Sequence, residues 1–101
     1  MPSLSQTNMQ TTVYNLRNGF RPNSIKIDRT TIWGNPFKVG KNCSTREEAI
    51  EKYREWIQTQ PRLLSMLHYL KGYELGCWCK PLACHGDVIA ELADGTTLYS
   101  V

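Results

Sequence analysis

The chain of 101 residues has the length of one small domain, and its 41% hydrophobic and 21% charged content is typical of a globular protein. Its net charge of +3 is scattered along the chain, which argues against the basic stripe that specific DNA binding needs. No stretch is long and apolar enough to cross a membrane, and the polar start lacks the core of a signal peptide. We therefore expect a cytoplasmic protein with reduced thiols, and a core this small is compatible with a homo-oligomer.

The first ten residues, Met1–Gln10, are polar and aperiodic, so we predict a loose or disordered tail there and a single domain over residues 11–101. Two β-branched segments follow, at Thr11–Leu16 and Ser24–Ile27, and turn-forming residues separate them. Each of these segments is predicted to be a strand.

Helical periodicity begins after a capping-box pattern, in which Thr45 precedes Glu48 by three residues. The apolar residues recur at helical spacing up to Thr59, and a second helix begins at Pro61 and ends near Gly72. A strand is then predicted over 73–79. A helix is predicted over 87–93, and it begins with the acidic residue Asp87.

This order of elements predicts an α/β fold, a compact Rossmann-like layered sheet with helices packed on it. Binding sites in such folds lie beyond the carboxyl ends of the strands. The loop Lys80–Gly86 and the turn Trp33–Phe37 both follow predicted strands. We therefore expect these two segments to meet in space and form the functional site.

Cys77, Cys79, Cys84 and His85 form a C-x-C-x4-C-H pattern, whose soft ligands are of the kind that bind zinc. The spacing differs from the paired knuckles of structural zinc sites, so a metal-free interpretation stays open. In that alternative, the first two cysteines pack on one face of a buried strand. A start of a helix at Cys84 would favour its thiolate and a role as nucleophile.

The segment His85, Gly86 and Asp87 lies at the predicted start of a helix, where free backbone amides bind phosphate or carboxylate. Glycine allows a ligand to approach closely, and the imidazole can donate a hydrogen bond or transfer a proton. Asp87 has two interpretations: it caps the helix, or it binds a ribose hydroxyl or acts as a base.

The WGNPF segment combines two aromatic rings and an amide with a glycine and a proline in one short turn. A planar base would stack on Trp33 or Phe37 while Asn35 reads its polar edge. A purely structural turn is the alternative, and the residue types alone do not decide between the two.

The segments IWGNPFKVG, TREEAIEKYREW and LGCWCKPLACHGDVIAELA together resemble the domain-of-unknown-function family numbered 4326 over about Thr12 to Asp94. The family is phage-borne or carried on mobile elements, and the resemblance implies a fold and a site but no established activity. Its signature residues match Trp33, Gly34, Asn35, Pro36, Phe37, Cys77, Trp78, Cys79, Pro81, Cys84, His85, Gly86 and Asp87. The chain departs from the family at Asn42 and Cys43, so Cys43 is not expected in the shared site.

Three functions follow from these residues. The first is binding of a nucleotide-derived small molecule, which in a phage setting would sequester a host immune signal such as a cyclic nucleotide or an ADP-ribose derivative. The second is an enzyme acting on a nucleoside or nucleotide, an N-glycosidic hydrolase or transferase, with Asp87 or Cys84 as nucleophile or base and His85 assisting. The third is a zinc-stabilised protein-interaction module.

Overall fold

A parallel sheet of three strands forms the centre of the fold in the computed structural model, which describes residues 10–95. The strands are β1 (Thr12–Asn15), β2 (Ile25–Lys26) and β3 (Glu74–Cys77), and their spatial order is β1-β3-β2. Both pairings with β3 are parallel. The carboxyl ends of all three strands therefore lie at one edge of the sheet.

The central strand β3 is buried on both faces, as expected for a parallel sheet that other elements cover. Leu75 lies in the hydrophobic core. Gly76 lies against Leu16, in a short 3₁₀ turn (Leu16–Asn18), and a Cβ at this position would lie 2.6 Å from its Cδ2. A larger residue here would therefore force Leu16 to move, because the turn covers the sheet closely.

Helix α1 (Arg46–Ile57) begins where the capping pattern predicts. The Thr45 hydroxyl accepts a hydrogen bond from the Glu48 amide at 3.0 Å. The Glu48 carboxylate accepts from the Ser44 amide at 2.8 Å, one residue earlier than a standard capping box. Ala49, Tyr53 and Ile57 form its buried stripe.

Two further helices complete the layer. Helix α2 (Pro61–Met66) is shorter than predicted because the chain continues as a 3₁₀ turn (Leu67–Tyr69). Helix α3 (His85–Gly95) is longer than predicted at both ends and packs on β1, β3 and α1. These elements confirm the predicted small α/β fold.

Two further predictions concern the N-terminal tail and membrane-spanning helices. The predicted tail, apart from Gln10, lies outside the described residues. Within residues 10–95, no helix has the length and apolar character needed to cross a lipid bilayer.

Candidate functional site: a cavity at the carboxyl edge of the sheet

A cavity of about 350 Å³ lies where β2 and β3 end. It is enclosed by the segment after β2, by the start of α1 and by the loop between β3 and α3. Its lining residues are Asp28, Arg29, Thr30, Asn35, Phe37, Val39, Arg46, Ala49, Ile50, Cys77, Trp78, Cys79, Ala83, Cys84 and His85. The WGNPF turn and the cysteine-rich loop therefore meet at one cavity, at the edge of the sheet where ligands of parallel α/β folds bind.

Five of the residues predicted to bind a ligand line this cavity, namely Asn35, Phe37, Cys79, Cys84 and His85. Trp33, Gly86 and Asp87 do not line it. Trp33 is only 5% exposed and packs in the core, where its carbonyl accepts a hydrogen bond from the Tyr53 hydroxyl at 2.8 Å. The predicted contact between Trp33 and a ligand stays a prediction, and Trp33 does not line this cavity.

Gly86 and Asp87 have structural partners instead. A Cβ at Gly86 would lie 2.7 Å from Ile27 Cδ1, so its backbone packs tightly against the neighbouring core. The Asp87 carboxylate accepts hydrogen bonds from Lys80 Nζ at 2.6 Å and from the Cys84 amide at 3.1 Å. The hydrogen bond with Asp87 raises the pKa of the Lys80 ammonium, although burial opposes this. The sequence allowed Asp87 either to cap the helix or to bind a ligand. In the structure it caps the helix.

The WGNPF turn is fixed by Asn35, which is almost fully buried. Its Oδ1 accepts a hydrogen bond from the Phe37 amide at 2.9 Å, and its Nδ2 donates to the carbonyl of Ala49 in α1 at 3.2 Å. Arg29 Nε donates to the Asn35 carbonyl at 2.9 Å. These bonds join the turn to α1 and to the segment after β2, so hydrogen bonds between side chains and backbone hold this wall of the cavity.

Trp78 forms the exposed rim of the cavity and was missed as a ligand-contacting residue, because the strand pattern places it opposite the cysteines. Its side chain is 53% exposed, and its Nε1 donates to Asp28 Oδ2 at 3.0 Å. Burial opposes ionisation of Asp28, but hydrogen bonds from Thr30 and Trp78 outweigh it and lower the pKa of the carboxyl. The carboxylate therefore anchors the indole ring.

Two guanidinium groups also face the cavity. Arg29 donates to the carbonyls of Asn35 and Phe37, and Arg46 NH1 donates to the carbonyl of Ala83 at 3.5 Å. In the part of the chain that the structure describes, neither arginine forms an ion pair with a carboxylate. Helical periodicity assigns Arg46 to the outer face of α1, so only the tertiary structure shows that it reaches the cavity.

The floor of the cavity carries a buried imidazole. His85 Nε2 lies 2.7 Å from the carbonyl oxygen of Ile27. Because that oxygen can only accept, Nε2 carries the proton and Nδ1 is left as an acceptor, 3.6 Å from Cys84 Sγ. Burial lowers the pKa of His85, although the hydrogen bond to Ile27 opposes this. The neutral imidazole is the form that this geometry favours.

Cys84 lies beside this imidazole, and Cys77 lines the same cavity. The hydrogen bond from Cys84 lowers the pKa of Cys77, and the amides of Cys79 and Lys80 act in the same direction. The interaction with Cys77 and burial raise the pKa of Cys84, although Gly86 donates its amide to the sulfur at 3.2 Å. A role of Cys84 as nucleophile stays a prediction, and the interaction with Cys77 opposes formation of its thiolate.

The predicted zinc ligands Cys77, Cys79, Cys84 and His85 all line the cavity. Over residues 10–95, however, no three side chains of the His, Cys, Asp and Glu types are arranged to hold a metal ion. Zinc binding accordingly stays a prediction.

The fold and the cavity define a small parallel α/β domain with a cavity at the carboxyl edge of its sheet, where ligands of such folds bind. A family described as "Domain of unknown function (DUF4326)" matches residues 13–95, and the chain belongs to it, as its motifs predicted. The chain is 40% identical over 74 residues to the "Uncharacterized 12.4 kDa protein in nrdA-td intergenic region" of Enterobacteria phage T4. That match covers 69% of this chain and 67% of the phage protein. No solved structure shows significant similarity to the chain.

Proposed function

We propose that the protein binds a small nucleotide-derived molecule in this cavity. One observation carries the proposal: the same cavity contains two arginines and an exposed indole. Arg29 and Arg46 lack carboxylate partners among residues 10–95, and the indole of Trp78 is held by Asp28. A nucleotide offers the complement to both, since it joins a planar base to an anionic phosphate.

The base would stack on Trp78, with Phe37 on another wall of the cavity. Stacking of a base on an aromatic side chain contributes about 1 to 3 kcal/mol. Because Asp28 already holds the indole Nε1, the ring loses little conformational freedom when a ligand arrives. The rim is in this sense organised before binding.

Polar groups of the base would be read by Asn35 and His85. The side-chain amide of Asn35 accepts one hydrogen bond within the turn and donates one to Ala49 in α1, which leaves one more acceptor and one more donor for a ligand. His85 offers Nδ1 as an acceptor, because its Nε2 donates to Ile27. Both side chains are held by backbone groups, so their orientation would be unchanged by binding.

The phosphate would bind Arg29 and Arg46 rather than the start of α3. The Gly86 amide already donates to Cys84 Sγ, and the Asp87 amide donates to the Cys84 carbonyl at 3.0 Å. Among residues 10–95, the guanidinium groups donate only to neutral carbonyls, so a phosphate would add an anionic partner. The proposed position of the phosphate therefore moves from the start of α3 to the two arginines, and the proposed class of ligand stays the same.

The size of the cavity favours a ligand of mononucleotide size. Its 350 Å³ lies near the lower end of the range of about 300 to 1,000 Å³ that small-molecule sites span. A mononucleotide, linear or cyclic, suits such a volume better than ADP-ribose does. In an infected cell, such binding would sequester a host nucleotide signal, a setting that the phage relative supports.

Binding without turnover is favoured over catalysis by the pairing of the candidate catalytic groups. Asp87 is absent from the cavity lining, and its two oxygens accept hydrogen bonds from Lys80 Nζ and the Cys84 amide. The interaction with Cys77 and burial raise the pKa of the Cys84 thiol. Neither group is therefore free to serve as nucleophile or base in this arrangement.

Tryptophan fluorescence tests the proposal. Titration with 5′-AMP, 5′-GMP, 5′-CMP, 5′-UMP and 3′,5′-cyclic AMP is expected to give a saturable change in emission for at least one of them, because the base would stack on the exposed Trp78. The Trp78→Phe variant should lose this change, and Trp56→Phe, which alters the half-buried tryptophan of α1, should retain it. A change in emission that persists in Trp78→Phe would contradict the stacking position.

A further inference from the structure

The cavity contains a carboxylate that the proposed contacts with the base and the phosphate do not use. Asp28 lies in the segment after β2, is half-buried and lines the cavity. The next residue in the chain is Arg29, one of the two arginines proposed to bind the phosphate. Because a carboxylate repels a phosphate, Asp28 suits a neutral hydrogen-bond donor of the ligand.

The hydrogen bonds of Asp28 orient its carboxylate and leave part of it unused. Oδ1 accepts hydrogen bonds from the hydroxyl of Thr30 and, at 3.0 Å, from its amide. Oδ2 accepts from Trp78 Nε1 at 3.0 Å, and no other donor among residues 10–95 bonds to it. A carboxylate oxygen accepts about two hydrogen bonds, so Oδ2 has room for one more. That oxygen lies at the edge of the indole ring on which the base would stack.

The order of these groups matches the order of the parts of a nucleotide. Trp78 would hold the base and Arg29 the phosphate, while Asp28 is bonded to the first and precedes the second in the chain. In a nucleotide the sugar joins base and phosphate, so its hydroxyls are the neutral donors that would reach Asp28. The 2′-hydroxyl is the nearest to a stacked base, because its carbon neighbours the carbon that carries the base.

We propose that Asp28 makes the site selective for ribonucleotides, because its Oδ2 accepts a hydrogen bond from the ribose 2′-hydroxyl. A 2′-deoxyribonucleotide would cover this oxygen without supplying a donor, and an acceptor that loses its water without gaining a partner weakens binding. The inference rests on the proposed function and adds the sugar to the base and the phosphate.

The experiment compares 5′-AMP, 5′-GMP, 5′-CMP and 5′-UMP with their 2′-deoxy counterparts by calorimetric titration of the full-length protein. The deoxy member of a pair should bind about 10- to 100-fold more weakly, as expected when a hydrogen bond to a charged group is lost. The 3′-deoxy analogue of the ribonucleotide that binds best should bind nearly as well as its parent. Equal affinities within each pair, or a larger loss for the 3′-deoxy analogue, would overturn this inference alone. Failure of all these nucleotides to bind would overturn the proposed function with it.

Variants separate the sugar contact from the anchoring of the indole. Asp28→Asn should bind both members of a pair with similar affinity, because one amide oxygen cannot accept from Thr30, Trp78 and a ligand together. Trp78→Phe, which keeps the carboxylate, should weaken both members and preserve their ratio. Glu91→Gln removes a negative charge outside the cavity lining and should change neither affinity. A ratio that Asp28→Asn leaves unchanged would contradict the contact, and the ligand series on the original protein decides the matter if this variant does not fold.

Discussion

Replacing Gly34 with alanine is expected to lower the free energy of unfolding by about 3 kcal/mol, at the upper end of the usual cost of overpacking. The added Cβ would lie 2.5 Å from Arg29 Cα and 2.6 Å from the Asp28 carbonyl oxygen. Both are backbone atoms of the segment after β2, so a change of side-chain rotamer cannot relieve the contact. Urea denaturation followed by circular dichroism measures the loss.

Gly95→Ala is the matched control for this substitution. It makes the same chemical change at the end of α3, where a new Cβ would meet nothing within 4 Å. We expect its stability to remain close to that of the original protein. Equal stability of both variants would show that the WGNPF turn does not pack against the segment after β2 as described.

Replacing Arg46 with glutamine is expected to weaken binding of a nucleoside monophosphate by about 10- to 100-fold, since a hydrogen bond to a charged group contributes about 1.5 to 3 kcal/mol. Binding of the corresponding nucleoside, which lacks the phosphate, should change little. Calorimetric titration of both ligands separates the two effects. If the nucleotide binds but Arg46→Gln has no effect, the proposed position of the phosphate is wrong. If neither ligand binds the original protein, the proposed ligand class is wrong.

Arg54→Gln provides the control for charge. Arg54 lies on the same helix but pairs with Glu51 and Glu91, and it is absent from the cavity lining. The Arg54→Gln substitution should leave the affinity for the nucleotide nearly unchanged. If both variants weaken binding to the same degree, the arginine effect is a long-range effect of net charge and Arg46 does not contact the phosphate.

The sequence predicts the fold well where local signals act. The capping pattern at Thr45 and Glu48 places the start of α1, and β-branched segments locate β1 and β2. The prediction that the WGNPF turn and the cysteine-rich loop meet is confirmed by their shared cavity. That step depended on a general property of parallel sheets, whose carboxyl ends lie at one edge.

The division of roles among the aromatic residues could not be predicted in the same way. Trp33 and Trp78 are both tryptophans in family motifs, and only tertiary packing buries the first and exposes the second. Arg46 has the spacing of a solvent-facing residue on an amphipathic helix, yet the loop before α3 folds over it. The environment of Cys84 was also beyond local reasoning, because the helix start favours its thiolate, whereas the interaction with Cys77 and burial raise the pKa of the thiol.

Native mass spectrometry tests the central claim most directly, with the protein analysed both as purified and after incubation with 5′-AMP, 5′-GMP, 3′,5′-cyclic AMP and ADP-ribose. At about 1 mM ligand, even binding as weak as about −4 kcal/mol gives a visible complex. The account predicts an unchanged nucleotide bound with one molecule per chain, and a mononucleotide preferred over ADP-ribose. A chain that binds none of these nucleotides, or one that converts them to products, would contradict it.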